Sequence, residues 1–225
     1  MSKKQRANFE YLLGGLLILI LVSALVHEYE FMDETQFLFM EPAVCLMLLL
    51  GIWGLGERKT WLITGALIVA TGFATALVAV WGNNPELRLV NLGIVLGFCL
   101  SSTWLALQNL LRSNDIDLNK IFGGICAYLL IGLIWAFFYL FINLVSPESF
   151  NGLTSTMIVH QFPDLLYFSF VTLATVGYGD LTPVKPLART VAYLEAIVGQ
   201  FYVAVLVAWL VSMYISGKAQ KNKYP

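Results

Sequence analysis

Six residues, Thr175-Val176-Gly177-Tyr178-Gly179-Asp180, interrupt a long apolar sequence. Glycines at alternate positions let the backbone turn left-handed at little steric cost. In such an alternation successive carbonyl oxygens can face one way, and the Thr175 hydroxyl adds one more oxygen below them. That arrangement suits one chemistry, the replacement of the water shell around a cation. A single row of dipoles surrounds an ion poorly. Four copies about an axis would stack the oxygens into rings.

No rival chemistry is spelled elsewhere. The chain holds no HExxH, GxSxG, paired CxxC or phosphate-binding loop, and no histidine–carboxylate cluster at one depth, which argues against an enzyme. Its net charge of -1 offers no basic face for nucleic acid. Cys45, Cys99 and Cys126 all lie in apolar runs without metal-ligand spacing and read as packing residues.

The elements that must position these six residues are set by lipid. Only 12% of the 225 residues are charged, against about 25% in soluble domains. Apolar stretches fall at 9–26, 37–55, 61–81, 89–111, 121–145 and 187–215, long enough for six spans of a bilayer core about 30 Å thick. Glu41 blurs the outer edge of the second. The shorter piece before the motif suits a re-entrant helix over 163–174, with Pro163 and Asp164 as first-turn residues. Its carbonyl end would face the membrane centre and favour a cation there. Irregular backbone at that depth survives only if covered by protein or lining a water path.

Loop charge orients the chain. MSKKQR, GERK (56–59) and GKAQKNK (217–223) are basic, whereas HEYEFMDE (27–34) is acidic. Both termini then lie in the cytoplasm, and 27–36 and 146–186 lie outside. VSA (22–24) has the look of a leader cleavage site, but the run before it is as long as a span, so retention of residues 1–24 is expected. His27 and His160 both fall outside.

TLATVGYGD (172–180), between a short helix and a long apolar one, resembles the pore of a tetrameric potassium channel over about 121–215. The TVGYG loop is the established example of a filter made of backbone carbonyls, so the potassium preference comes with the resemblance. It implies an all-α membrane protein of six transmembrane helices plus a re-entrant pore helix and filter loop, assembled as a four-fold homotetramer. A four-helix domain (1–111) would lead through a short linker (112–120) to a pore domain (121–216) and a cytoplasmic tail (217–225). Backbone oxygens of Thr175, Val176, Gly177 and Tyr178 would ligate K+ with the Thr175 hydroxyl, and Gly179 completes the filter. Three identical subunits and membrane lipid are the implied partners, K+ the only implied ligand, with no organic cofactor.

The departures from that family matter too. Some relatives carry a pore-helix glutamate that pairs with the filter aspartate; Val171 stands there, so Asp180 lacks that partner. The two bracing aromatics of relatives correspond to Tyr167, able to reach Asp180, and Phe168, able only to pack. Glu195 is the one acid well inside a span, a functional position by default. It is expected to hydrogen-bond behind the filter, to Ser169 or Thr172. In similar channels a glycine such as Gly199 is a gating hinge; close helix packing is the alternative. Gln200, Val203, Val207 and Val211 share one helical face, which by resemblance lines the cavity and narrows to an apolar neck able to close by dewetting.

The first four spans do not form a charged voltage sensor. Between Arg88 and Arg112 the fourth contains no charge, and one charge moved through 100 mV yields only about 2.3 kcal/mol. Ser101, Ser102, Thr103, Gln108 and Asn109 there read as helix-to-helix glue. The expected function is a passive potassium-selective channel, in a cell membrane that suits a bacterial inner membrane. Alternatives are a nonselective cation channel and a non-conducting assembly subunit. A transporter would show internal repeats and a second broken helix, and neither is present.

Overall fold

Uncharged runs longer than a bilayer is thick have one way to satisfy their backbone, and the chain takes it. A computed structural model describes residues 9–28, 67, 70, 71, 74, 85–112, 118–155 and 161–221. Helix α1 is Phe9–Glu28, α2 Pro85–Arg112 and α3 Leu118–Val145. Strand β1 (Phe150–Asn151) precedes α4 (Gln161–Leu173); β2 (Thr182–Pro183) and α5 (Pro186–Lys221) follow. The second and third expected spans, apart from those four isolated positions, lie outside the described residues, as does His160. Among the described residues two helices are long and apolar enough to cross a membrane, Asn119–Val145 and Pro186–Trp209, with mean hydropathy 2.4 and 1.8.

Helix α3 is the hub, with α1, α2, α4 and α5 all packed on it. At its start the Phe9 amide donates to Asn119 Oδ1 at 2.9 Å, and Cys126 Sγ donates to the Phe9 carbonyl at 3.6 Å. Gly123 lets this happen: a Cβ there would sit 3.0 Å from the Phe9 ring. On α2, Ser101 and Ser102 donate to the Phe98 carbonyl and Thr103 to Cys99, at 2.7 to 2.8 Å. Among the described residues these hydroxyls donate back onto their own helix.

Several boundaries differ from the sequence reading, and three of them bear on the 118–221 region. Helix α3 begins at Leu118 rather than 121, because Asn119 is fixed by the Phe9 amide. Helix α4 begins at Gln161, two residues before Pro163. Asn143 Nδ2 donates to Gln161 Oε1 at 2.7 Å, and Gln161 Nε2 donates to the Ser155 carbonyl at 3.2 Å. Proline still falls in the first turn, where its missing N–H costs nothing. Helix α5 runs six residues past 215, through Gly217 to Lys221.

A two-stranded sheet joins the ends of the segment that carries α4: β1 pairs antiparallel with β2, Phe150 opposite Pro183 and Asn151 opposite Thr182. The Val184 amide extends it by donating to the Ser149 carbonyl at 2.8 Å. Lys185 Nζ closes the corner on Ser146 Oγ at 2.8 Å and the Pro147 carbonyl at 2.6 Å.

Candidate functional site

Helix α4 stops where glycine begins. The amides of Ala174, Thr175 and Val176 turn back onto the carbonyls of Phe170, Thr172 and Val171 at 2.8 to 2.9 Å, which satisfies the last turn. The backbone then alternates: φ is positive at Thr175 (56°), Gly177 (60°) and Gly179 (83°). Thr175 was not expected in that set, and a β-branched residue held left-handed is strained. The backbone of Gly177, Tyr178 and Gly179 makes no hydrogen bond to any described residue. Every residue from Ala174 to Asp180 is exposed within one chain, Tyr178 to 72%.

The outer end is held from α4 and from the two-stranded sheet. Tyr167 donates to Asp180 Oδ2 at 2.6 Å, and the Leu181 amide donates to Asp180 Oδ1 at 2.9 Å. The Tyr167 bond, helped by the Leu181 amide, holds the Asp180 carboxyl below the usual carboxylate range. The Tyr167 and Tyr178 rings stack, with centroids 6.5 Å apart. Gly152, at φ 94°, lies against the Asp180 carbonyl where no Cβ fits. Asp164 Oδ2, in the first turn of α4, accepts from both the amide and the hydroxyl of Thr154 at 2.8 Å. Val171, in the place of the absent acid, lines a cavity of about 240 Å³ between α4 and the 177–183 segment.

Behind α4 lies a buried polar cluster. Glu195 is wholly buried. Its Oε1 is 2.6 Å from Ser169 Oγ, and Tyr139 on α3 donates to its Oε2. Ser169 Oγ also reaches the Gly132 carbonyl at 2.7 Å. Thr172, the other candidate partner, is not among these contacts. Phe168 packs edge-on against Tyr139 and Phe150, with centroids at 5.0 and 5.5 Å. Tyr139 was missed from sequence because it sits in an aromatic run, IWAFFYLF, where nothing sets it apart. The one available signal was that a buried acid needs donors.

At the inner end Gln200 Nε2 donates to Thr175 Oγ1 at 3.2 Å. Gly199 lies so close to α4 that a Cβ would collide with the Leu173 carbonyl oxygen. Glycine at this position is therefore required by close approach, whatever bending it also permits. Val203 and Val207 are exposed on α5. Val211 lies further along α5, outside the residues whose side chains are described. Lower on the same helix Tyr202 donates to the Gly124 carbonyl at 2.6 Å, and Lys120 Nζ stands 5.2 Å over the Trp209 ring.

Residues 124–216 match the family model described as "Ion channel". A protein of Bacillus caldotenax named "Protein LctB" is 32% identical over 120 residues, which cover 52% of this chain and 89% of that protein. The chain belongs to the ion channel family. That family is one of membrane channels and not of enzymes. The chain is also similar to "Inward rectifier potassium channel Kirbac3.1" of Paramagnetospirillum magnetotacticum, 49% identical over 45 residues, which cover 20% of this chain and 15% of that one. "Two pore potassium channel c" of Oryza sativa is 39% identical over 62 residues, covering 28% of this chain and 14% of its own length. The chain thus spans about a seventh of these two relatives. No solved structure matches it.

Proposed function

We propose that the chain is one subunit of a potassium-selective channel, in which four copies bring their 175–180 segments around a common axis. The reading rests first on the alternating left-handed backbone at Thr175, Gly177 and Gly179, between a helix end and an apolar span. Oxygens of Thr175, Val176, Gly177, Tyr178 and Gly179 line the path, with the Thr175 hydroxyl at its inner mouth. Each ring replaces part of the K+ hydration shell. One copy leaves these groups exposed, a state that lipid does not tolerate and that three further copies relieve. The potassium channels among the relatives add weight to the choice of ion.

In this reading Tyr167 and Asp180 hold the outer end of the filter, and Phe168 and Glu195 support it from behind. Gln200, Val203, Val207 and Val211 line the cavity below, and Gly199 seats α5 against α4. Six spans place both termini in the cytoplasm, and the first four serve as a scaffold without a voltage-sensing charge ladder. The test is flux from liposomes holding the purified chain, with potassium and sodium side by side and Thr175→Ala as control. Potassium flux well above sodium flux, and damaged in the control, is expected. Equal flux of both ions would refute the selectivity.

A further inference from the structure

Ser169 has one hydroxyl hydrogen and stands between two oxygens. Its Oγ lies 2.7 Å from the Gly132 carbonyl oxygen and 2.6 Å from Glu195 Oε1. A backbone carbonyl accepts and never donates, so the Gly132 contact takes the Ser169 hydrogen. The contact with Glu195 then needs a hydrogen from the carboxyl, since two bare oxygens that close repel. Giving the serine hydrogen to Glu195 moves the same conflict to Gly132. Placing a carboxyl hydrogen on Oε2 does no better, because Oε1 and Gly132 still compete for one hydrogen. Tyr139 already donates to Oε2. The hydrogens suffice only when Oε1 carries one.

We infer that Glu195 stands as a neutral carboxylic acid that donates to Ser169, which donates to Gly132, and that this chain is a proton-operated latch between α5, α4 and α3. Tyr139 is its positioning residue, holding the second carboxyl oxygen so that the first faces Ser169. Gly132 makes the approach possible, because a Cβ there would run into the Phe170 ring of α4. Loss of the proton forces Ser169 to turn its hydrogen toward the carboxylate and abandon Gly132. The α4–α5 contact then survives while the α4–α3 contact opens, directly behind the filter segment. A neutral carboxyl also avoids the cost of an unpaired charge in an apolar interior. Among the described residues the titratable groups facing Glu195 are Tyr139 and Tyr128, both on α3. Helix α4 presents Ser169, which does not titrate.

The proton state does not depend on the conduction reading, but its effect on flux does, so two readouts separate them. Infrared spectra of the full chain in liposomes are expected to show the carbonyl stretch of a neutral acid at neutral pH, vanishing in Glu195→Gln and fading at alkaline pH. Tyr139→Phe is expected to move the pH at which it fades, which a purely structural tyrosine would leave in place. Absence of a band assignable to Glu195 at neutral pH overturns the inference. Potassium flux should fall roughly tenfold as the band fades, the weight of about one hydrogen bond. In Glu195→Gln, whose amide replaces the acid hydrogen, it should stay flat over that range. Identical pH profiles in the two proteins overturn the latch. A chain that passes no ion in any variant refutes conduction, and the infrared band still decides the protonation.

Discussion

Helices α3 and α5 are both long and apolar, yet their surroundings within one chain are opposite. In the apolar window of α3 56% of residues are buried, whereas in that of α5 the share is 17%. The first is wrapped by four helices of its own chain. The second touches α3 and α4 along one side and leaves Phe201, Val205 and Val207 bare on the rest. The bare side of α5 adjoins the exposed 174–180 segment, through Gln200 and Thr175. Hydropathy marks both helices as apolar enough to cross a membrane. What separates them is cover within one chain: α3 finds it there, and α5 finds little; in the proposed assembly further copies would supply the rest.

That contrast breaks most completely at Gly199, the point where α5 does touch its own chain. Gly199→Val drives a side chain into the Leu173 carbonyl, a backbone atom that cannot step aside; overpacking of this kind costs about 1–3 kcal/mol or more. Loss of folded, flux-competent protein is expected in gel filtration and in the liposome assay. Next in size is Phe201→Ala, set beside Phe138→Ala on the exposed side of α3. Truncation of a phenylalanine that packs between copies costs on the order of 3 kcal/mol. The assembled species should therefore dissociate in detergent for Phe201→Ala and persist for Phe138→Ala, as native mass spectrometry would read. Equal behaviour would erase the distinction between the helices.

A smaller effect sharpens the picture at Asp180, which α4 holds through Tyr167. Asp180 has a depressed pKa, so its contribution is full above the ordinary carboxylate pKa near 3.9 and is lost as pH falls through the depressed value. Tyr167→Phe removes the main cause of the depression. The acid-side fall in flux should then begin at a higher pH than in the parent chain, as a pH titration of potassium flux would record. The smallest change is Gln200→Ala, at the inner end. It removes one exposed hydrogen bond of 3.2 Å, worth less than about 1 kcal/mol, and should lower flux no more than a few-fold.

The sequence was most readable where chemistry is local. Alternating glycines at 177 and 179 signalled the left-handed turns, and an acid inside a span pointed to Ser169 or Thr172, of which Ser169 makes the contact. Long-range fits were not readable. Nothing near Gln161 announces that Asn143, eighteen residues earlier, extends helix α4 upstream of its proline. Nothing near Gly152 announces the Asp180 carbonyl. Gly199 was visible as an oddity, but a glycine that bends and a glycine that makes room look identical until the neighbour is known. Tyr139 belongs to the same class: its role comes from the antiparallel passage of α5, not from its own surroundings in the sequence.

The cluster behind the filter also has a consequence for the order of synthesis. Tyr139 precedes Glu195 by 56 residues and Ser169 precedes it by 26. The hub helix and the re-entrant helix are therefore made before the acid that joins them exists. Until α5 is inserted, Ser169 has only the Gly132 carbonyl to meet, and the end of α4 has no Gly199 to rest on. The end of α4 thus gains these supports only once α5 has been made. A nascent chain halted before residue 195 holds residues 175–180 complete without the contacts that α5 brings to α4.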